Sequence, residues 1–319
     1  MAKIKLGLVL GGGGARGLAH IGLIKVLQQN NINIDIISGT SMGALVGGMY
    51  AQNPDAEWVE SRVREFLSSE KFERAGRNYF RHQTNYEPED LLQHLGREIK
   101  KRIIINLAAH RKSLMKGERL TLAVNDLIAD GNIEDTKIPF ACTATDLRFG
   151  EAVVFKSGDM RHAITASASI PGFIPPIEHN GRLLVDGSIC NNFPVDAVSE
   201  MGAEIIIASN VSLDFDSDNG LDNLIDIVIR ANSVSTHFIN EMLLEKVDYV
   251  ISPDTGDTHW SEFHKFEKLF KKGEQAALRN LTELKKIVRR RGSSWYKMRL
   301  SLVKFMEKIL AVKRSEDKN

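Results

Sequence analysis

One run constrains this chain more than any other: Ile34-Asp35-Ile36-Ile37-Ser38-Gly39-Thr40-Ser41-Met42-Gly43. An apolar stretch ends in a serine flanked two residues either side by glycine. Helix-forming residues, Ala44 to Ala51, follow at once. Strand, sharp turn, helix is the setting in which G-x-S-x-G carries chemical meaning. Such a turn demands small neighbours, hence Gly39 and Gly43. It pushes the serine oxygen into the open beside a helix N-terminus, where negative charge is favoured.

Upstream, Lys5 to Leu10 reads as a buried strand. The glycine cluster Gly11 to Gly17 follows, then a helix over Ala15 to Gln29 with Leu18, Ile21, Leu23, Ile24 and Leu27 on its apolar side. With a strand over Ile32 to Ser38, this βαβ opening predicts a parallel sheet covered on both faces. Helices are expected over Glu57 to Leu67, Glu89 to Ile105 and Leu120 to Ala129. Strands resume at Phe140 to Thr145 and Ala152 to Phe155. A helix over Met160 to Ser167 leads into a proline-rich loop and the strand Leu183 to Val185. A helix from Pro194 to Glu200, a strand from Glu204 to Ser209, a helix from Asp222 to Lys246 and a strand at Tyr249 to Ser252 complete the alternation.

Composition narrows the class. Hydrophobic residues make up 43% and charged residues 26% of 319, with a net charge of +1, so the chain is globular and not a polyanion binder overall. Its basic stretches match no nucleic-acid reading module. Cys142 and Cys190 have neither disulfide nor zinc spacing and fit a reducing compartment. Lys3 and Lys5 precede an apolar run that stops at four glycines, too short for a signal sequence. The expectation is a cytoplasmic protein, with peripheral attachment to the inner membrane face left open. From Leu281 onward twelve Lys and Arg face four Asp and Glu, with Trp295, Tyr296, Phe305 and other apolar residues among them. That tail reads either as a helix docked on the domain or as an interfacial helix drawn to anionic lipid.

Two readings compete for the glycine cluster. Gly12-x-Gly14-x-x-Gly17 formally matches a dinucleotide fingerprint with Asp35 downstream, but Asp35 sits inside the second strand instead of ending it, and Arg16 and His20 replace small packing residues. The alternative is an oxyanion hole, in which glycines let successive N–H groups point at one spot. Arg16 then either adds positive field or ties the loop to a carboxylate, and His20 packs or orients the loop. For a base, Leu183-Leu184-Val185-Asp186-Gly187 places an aspartate at the end of an apolar strand, in the simplest reading an Asx turn. A Ser–His–Asp triad would draw on His237, His259 or His264, none of which sits in a glycine-marked loop at a strand end.

Taken together, Gly11 to Gly17, Gly39 to Gly43, Ala166-Ser167-Ala168-Ser169-Ile170-Pro171 and Asp186-Gly187 resemble the patatin-like phospholipase family, block by block and in its order. The likeness is greatest to the bacterial single-domain members and to the catalytic domains of neuropathy-target-esterase-like lysophospholipases. The resemblance implies a three-layer α/β/α fold with a mainly parallel central sheet, plus a helical C-terminal extension. It implies a Ser41–Asp186 dyad, an oxyanion hole from Gly12, Gly13 and Gly14, supporting roles for Arg16, Gly39, Gly43 and Gly187, and neither cofactor nor metal. Ser188 stands where the family more often has Gly or Ala, which puts a hydroxyl within reach of the carboxylate. The implied catalytic domain is 1–255, with 54–127 as a helical insertion or lid and 256–319 as a helical, basic extension. The implied substrates are phospholipids, lysophospholipids or other fatty-acyl esters, with a membrane surface as a further partner of the basic helices, no nucleic acid, and oligomeric state open. The apolar segment Ser169 to Pro176 would wall an acyl pocket, Asn191 and Asn192 would cap the next helix, and Asp146 would hold neighbouring backbone. The main rival from another class is a regulatory protein on the same fold.

Overall fold

The computed structural model describes residues 4–72, 117–212 and 224–291. The expected helix over Glu89 to Ile105, the basic residues from Arg74 to Arg102, and the aromatic, basic stretch from Trp295 lie outside the described residues.

Strands β1 (Leu6–Leu10) and β2 (Ile36–Thr40) are buried along their whole length. Burial on both faces is why β1 reads as a continuous apolar run instead of an alternating one. Leu6, Leu8 and Leu10 join one core with α1 (Ala19–Gln29), α2 (Met42–Gln52), α3 (Ala56–Leu67), α4 (Glu118–Leu127) and α5 (Met160–Ser167). Val9 and Ile36 turn to the opposite face, against Phe193, α6 (Val195–Glu200) and the end of α7 (Leu224–Leu244). Three layers result.

The remaining strands are β3 (Phe140–Asp146), β4 (Glu151–Phe155), β5 (Ile177–His179), β6 (Arg182–Asp186), β7 (Ile205–Ser209) and β8 (Tyr249–Ile251). Among the described residues the sheet runs β5-β6-β3-β2-β1-β7-β8, with β4 also on β3. The β1–β2, β1–β7, β2–β3 and β7–β8 pairs are parallel. The β3–β4, β3–β6 and β5–β6 pairs are antiparallel. The mainly parallel expectation therefore holds, with an antiparallel margin that the sequence pattern does not announce.

Local boundaries differ where backbone chemistry intervenes. The helix expected from Ala15 begins with a 3-10 turn, Gly14–Leu18, because Gly14 sits at φ 57° and the Ala15 N–H donates to the Trp260 carbonyl. The strand expected from Ile32 starts only at Ile36. Asn31 takes φ 57° and Ile32 N–H returns to the Leu27 carbonyl, closing α1 first. Strand β5, where a loop is expected, exists because Asn180 and Gly181, at φ 48° and 78°, form the two-residue hairpin turn that such a pair favours.

Helix α8 (Phe266–Arg291) lies across α1. A Cβ on Gly273 would collide with the Ala19 carbonyl, and one on Gly22 with the Phe270 carbonyl. Phe266, Leu269, Phe270, Ala276, Ala277 and Leu284 are buried in the main core. No described helix is long and apolar enough to cross a membrane.

Candidate active site

Ser41 occupies φ 55°, ψ −121° between β2 and α2. A non-glycine residue there is strained by about 1–3 kcal/mol and persists only where its surroundings hold it. Several contacts do so. The Ser41 N–H donates to Ser167 Oγ at 3.0 Å, and that hydroxyl donates to the Thr143 carbonyl at 2.7 Å. Thr40 Oγ1 donates to the Asn191 carbonyl at 3.0 Å. The flanking glycines let the backbones meet: a Cβ on Gly43 would lie on the Leu10 carbonyl, and one on Gly39 on the Gly43 carbonyl.

Strand β3 brings the second half of the site. Its Thr143 pairs with Thr40 at the end of parallel β2, and the next residue, Ala144, pairs with Asp186 at the end of antiparallel β6. Two strands running from opposite directions thus end at one place. A Cβ on Gly187 would collide with the Thr143 carbonyl and touch Thr40 Cγ2, so the fit requires glycine. Ser169 fixes the approach by accepting the Asp186 N–H at 2.9 Å. Asp146 holds backbone as expected, taking the N–H of Arg148 at 2.9 Å and of Leu183 at 3.3 Å.

Ser41 and Asp186 are only 6% and 2% exposed, so bulk water does not screen them. The Ser41 and Ser188 hydroxyls lie beside the Asp186 carboxylate and favour its ionised form, and one carboxylate oxygen accepts the Ser188 N–H at 2.9 Å. Burial dominates and pushes the carboxyl pKa up, while the neighbouring Ser41 hydroxyl and the Ser188 hydroxyl and N–H pull it down. Among the described residues, no histidine is one of its partners. His259 pairs with Ser261, and His237 lies on α7 beside Phe238.

The glycine loop lies against the serine, since a Cβ on Gly12 would stand 3.1 Å from Ser41 Cβ. Its donors are not equivalent. Gly12 N–H is already bonded to Asn192 Oδ1 at 2.7 Å, so of the three expected oxyanion donors it is the one in use elsewhere. Among the described residues, the Gly13 and Gly14 amides carry no partner. Asn192 accordingly does not cap α6. Pro194 holds the cap position, without a side-chain bond.

His20 pins the loop from beneath. Its Nε2 meets the Gly11 carbonyl at 2.8 Å and must carry the hydrogen, so Nδ1 accepts from Ser209 Oγ at 2.9 Å. Complete burial lowers its pKa to about 4, which keeps the ring neutral. Arg16 ties the loop to carbonyls, not to the carboxylate considered from sequence: Nε donates to Val211 O at 2.9 Å and Nη1 to Thr258 O at 3.1 Å. Burial lowers its pKa to about 10, still charged at neutral pH. Asp35 is no ribose ligand. Its Oδ2 accepts the Leu6 N–H, at the opposite end of β1 from the glycines.

A cavity of about 150 Å³ opens from Ser41 and Gly14 between α3, α4 and α5. Val63, Phe66, Leu120, Val124, Ile170 and Trp260 are typical of its lining, and Arg119 is its one charged described residue. Ile170 and Ile174 place the expected apolar segment in this wall. The contributions of Ser167, Asn192 and Trp260 were not read from sequence. The serine-rich block and the Asn191-Asn192-x-Pro194 string were the available signals, but their partners are remote in the chain.

This architecture has solved counterparts. Human GIVD cytosolic phospholipase A2, in complex with methyl gamma-linolenyl fluorophosphonate, superposes with a TM-score of 0.50 over 90% of this chain and 59% of that one, at 13% identity. The common ground is the fold: a mixed, mostly parallel sheet between helices. The family model for patatin-like phospholipase matches residues 8–199, and the chain belongs to that family. It is 33% identical over 208 residues to the patatin-like phospholipase domain-containing protein ZK370.4 of Caenorhabditis elegans, covering 65% of this chain and 13% of that protein. It is 34% identical over 206 residues to lysophospholipase NTE1 of Kluyveromyces lactis, covering 65% of this chain and 12% of that one. The matched region thus spans about an eighth of these relatives.

Proposed function

We propose that the chain is a serine acyl hydrolase that cleaves carboxylic esters of phospholipids or lysophospholipids through a Ser41–Asp186 dyad. One observation carries the reading: the Ser41 hydroxyl lies beside a buried carboxylate at the mouth of an apolar cavity. Ser41 Oγ attacks the ester carbonyl as its proton passes to Asp186. The π electrons move to the carbonyl oxygen, which meets the Gly13 and Gly14 amides. Donors of this kind contribute about 2.7–4 kcal/mol each to the transition state. Collapse expels the alcohol or lysolipid, protonated by Asp186, and leaves an acyl-serine. Water, deprotonated by Asp186, then releases the fatty acid and restores Ser41. Gly39, Gly43 and Gly187 permit the close approach, and Arg16 holds the loop. A carboxylate of ordinary pKa is a weak base at neutral pH, so the upward shift of Asp186 favours catalysis.

The apolar lining suits a fatty chain, and Arg119 offers a cation to a phosphate-bearing headgroup. The names of the relatives support the same substrate class. A cytoplasmic location with peripheral attachment through basic segments belongs to this proposal and rests on the charge balance after Leu281. The test is covalent labelling by a tagged fluorophosphonate together with hydrolysis of short p-nitrophenyl esters, lysophospholipids and diacyl phospholipids. Wild type should label and hydrolyse, Ser41→Ala should do neither, and Asp186→Asn should lose about a hundredfold to ten-thousandfold in rate. Labelling that survives in Ser41→Ala, or undiminished turnover in Asp186→Asn, overturns the dyad.

A further inference from the structure

Asn192 lies six residues beyond Asp186 on one loop, and that loop grips both other parts of the site. The Asn191 carbonyl takes the hydroxyl of Thr40, the residue before Ser41, and Asn192 Oδ1 takes the Gly12 N–H at 2.7 Å. Asn192 is only 3% exposed, so the bond forms away from competing water. Its orientation is unambiguous, because only the amide oxygen can accept from an N–H. The amide nitrogen faces Ser212 Oγ at 3.5 Å, which Asn240 also approaches from α7.

We infer that Asn192 is the positioning residue of the oxyanion hole: by engaging Gly12, it orients the loop so that Gly13 and Gly14 present their amides to the oxygen on the carbon that Ser41 attacks. His20, Arg16 and the Ala15 N–H fix the flanks of the loop, which leaves the Gly12 peptide plane to be set by Asn192, and preorganised donors are what make such holes effective. The inference rests on the proposed acyl-hydrolase reading and adds to it the residue that selects the donors. Asn192 itself touches no reacting atom. It acts through Gly12, and the loop that carries it also carries Asp186, so base, nucleophile and anion cradle share one support.

The test separates a role in the transition state from one in folding. Asn192→Leu keeps the bulk and removes the acceptor. Its kcat should fall about a hundredfold, the scale of one lost oxyanion donor, with KM within about twofold of wild type. Two unreactive or reversible ligands report the cause. A long-chain alkyl trifluoromethyl ketone accepts Ser41 Oγ at its carbonyl carbon and places an oxyanion in the hole. The matching trifluoromethyl carbinol cannot be attacked. Affinity for the ketone should fall by the factor lost in kcat/KM, as for a transition-state analogue, while the carbinol binds unchanged. Equal loss for both ligands, or no loss for the ketone, overturns the inference.

Asn192→Asp provides a second reading if the leucine variant does not fold. It keeps an acceptor for Gly12 but adds a charge beside the developing oxyanion. The ratio of wild-type to variant rate should shrink as pH falls and the new carboxylate is protonated; a ratio constant with pH counts against the assignment. A wild type that neither labels at Ser41 nor hydrolyses esters overturns both proposals. An active, labelled wild type with an unaffected Asn192→Leu overturns this one alone.

Discussion

At the scale of single residues, a buried carboxylate ties the protein's stability to pH. Asp186 is buried, and burial raises its pKa. A folded-state pKa above the unfolded one means that folding is penalised once the group ionises. The stability it permits is full below the ordinary carboxylate pKa and is lost as pH rises through the shifted value. Asp186→Asn should therefore unfold at a higher temperature than wild type near pH 8, and the gain should shrink as pH falls toward 4. Scanning calorimetry at the two pH values reads this directly; an equal gain at both would mean that ionisation is not the cause. The same shift acts on rate. As the proposed base, Asp186 must be ionised to act, so kcat/KM should fall with decreasing pH around an inflection above the ordinary value of about 4. A profile flat from pH 4 to 8 would remove Asp186 as the base. His20 works in the opposite sense. Its pKa is lowered to about 4, so its contribution is complete above the ordinary imidazole value and is lost as pH falls toward 4.

At the scale of elements, the decisive arrangement is β3 with β2 and β6. The G-x-S-x-G turn is legible because its glycines, apolar strand and helix are contiguous in the chain. The approach of Asp186 is not, since it depends on β6 running antiparallel and pairing one residue beyond β2. Hairpin β5–β6 does carry a local sign, Asn180-Gly181, which would have revealed β5 and its antiparallel pairing with β6, but not how that hairpin meets β3. The contact of α1 with α8 depends likewise on a detail without local signal: two glycines, Gly22 and Gly273, at which the helix backbones touch. Gly273→Val should force the helices apart and lower stability by about 1–3 kcal/mol, seen as a lower urea midpoint with an unchanged slope. A midpoint equal to wild type would show that α8 is not held there.

At the scale of the whole molecule, residues far apart in sequence make one compartment. Ser41 from the turn after β2, Ala123 from α4, Ile170 from the loop after α5 and Trp260 ahead of α8 share its wall. The expected boundary at 255 leaves Trp260 and Phe263 beyond it, yet both line the cavity, and Thr258 anchors Arg16. Ala123→Phe should fill much of the space that a chain would occupy. Hydrolysis of long-chain esters should drop at least tenfold in kcat/KM, while a short p-nitrophenyl ester should change less than twofold. A uniform loss across chain lengths would indicate damage to the site instead of to the pocket.

What the linear chain determines here is local: a strand that must turn sharply at Ser41, glycines that leave amides uncovered, and an aspartate after an apolar run, each specified by neighbours a few residues away. Only the tertiary structure decided which groups meet. It assigned Gly12 to Asn192, turned Arg16 toward carbonyls, placed Ser167 under the strained serine and closed an apolar cavity over it. Those outcomes follow from strand register, strand direction and helix packing. They depend on burial summed over the whole core, which no short window of sequence contains.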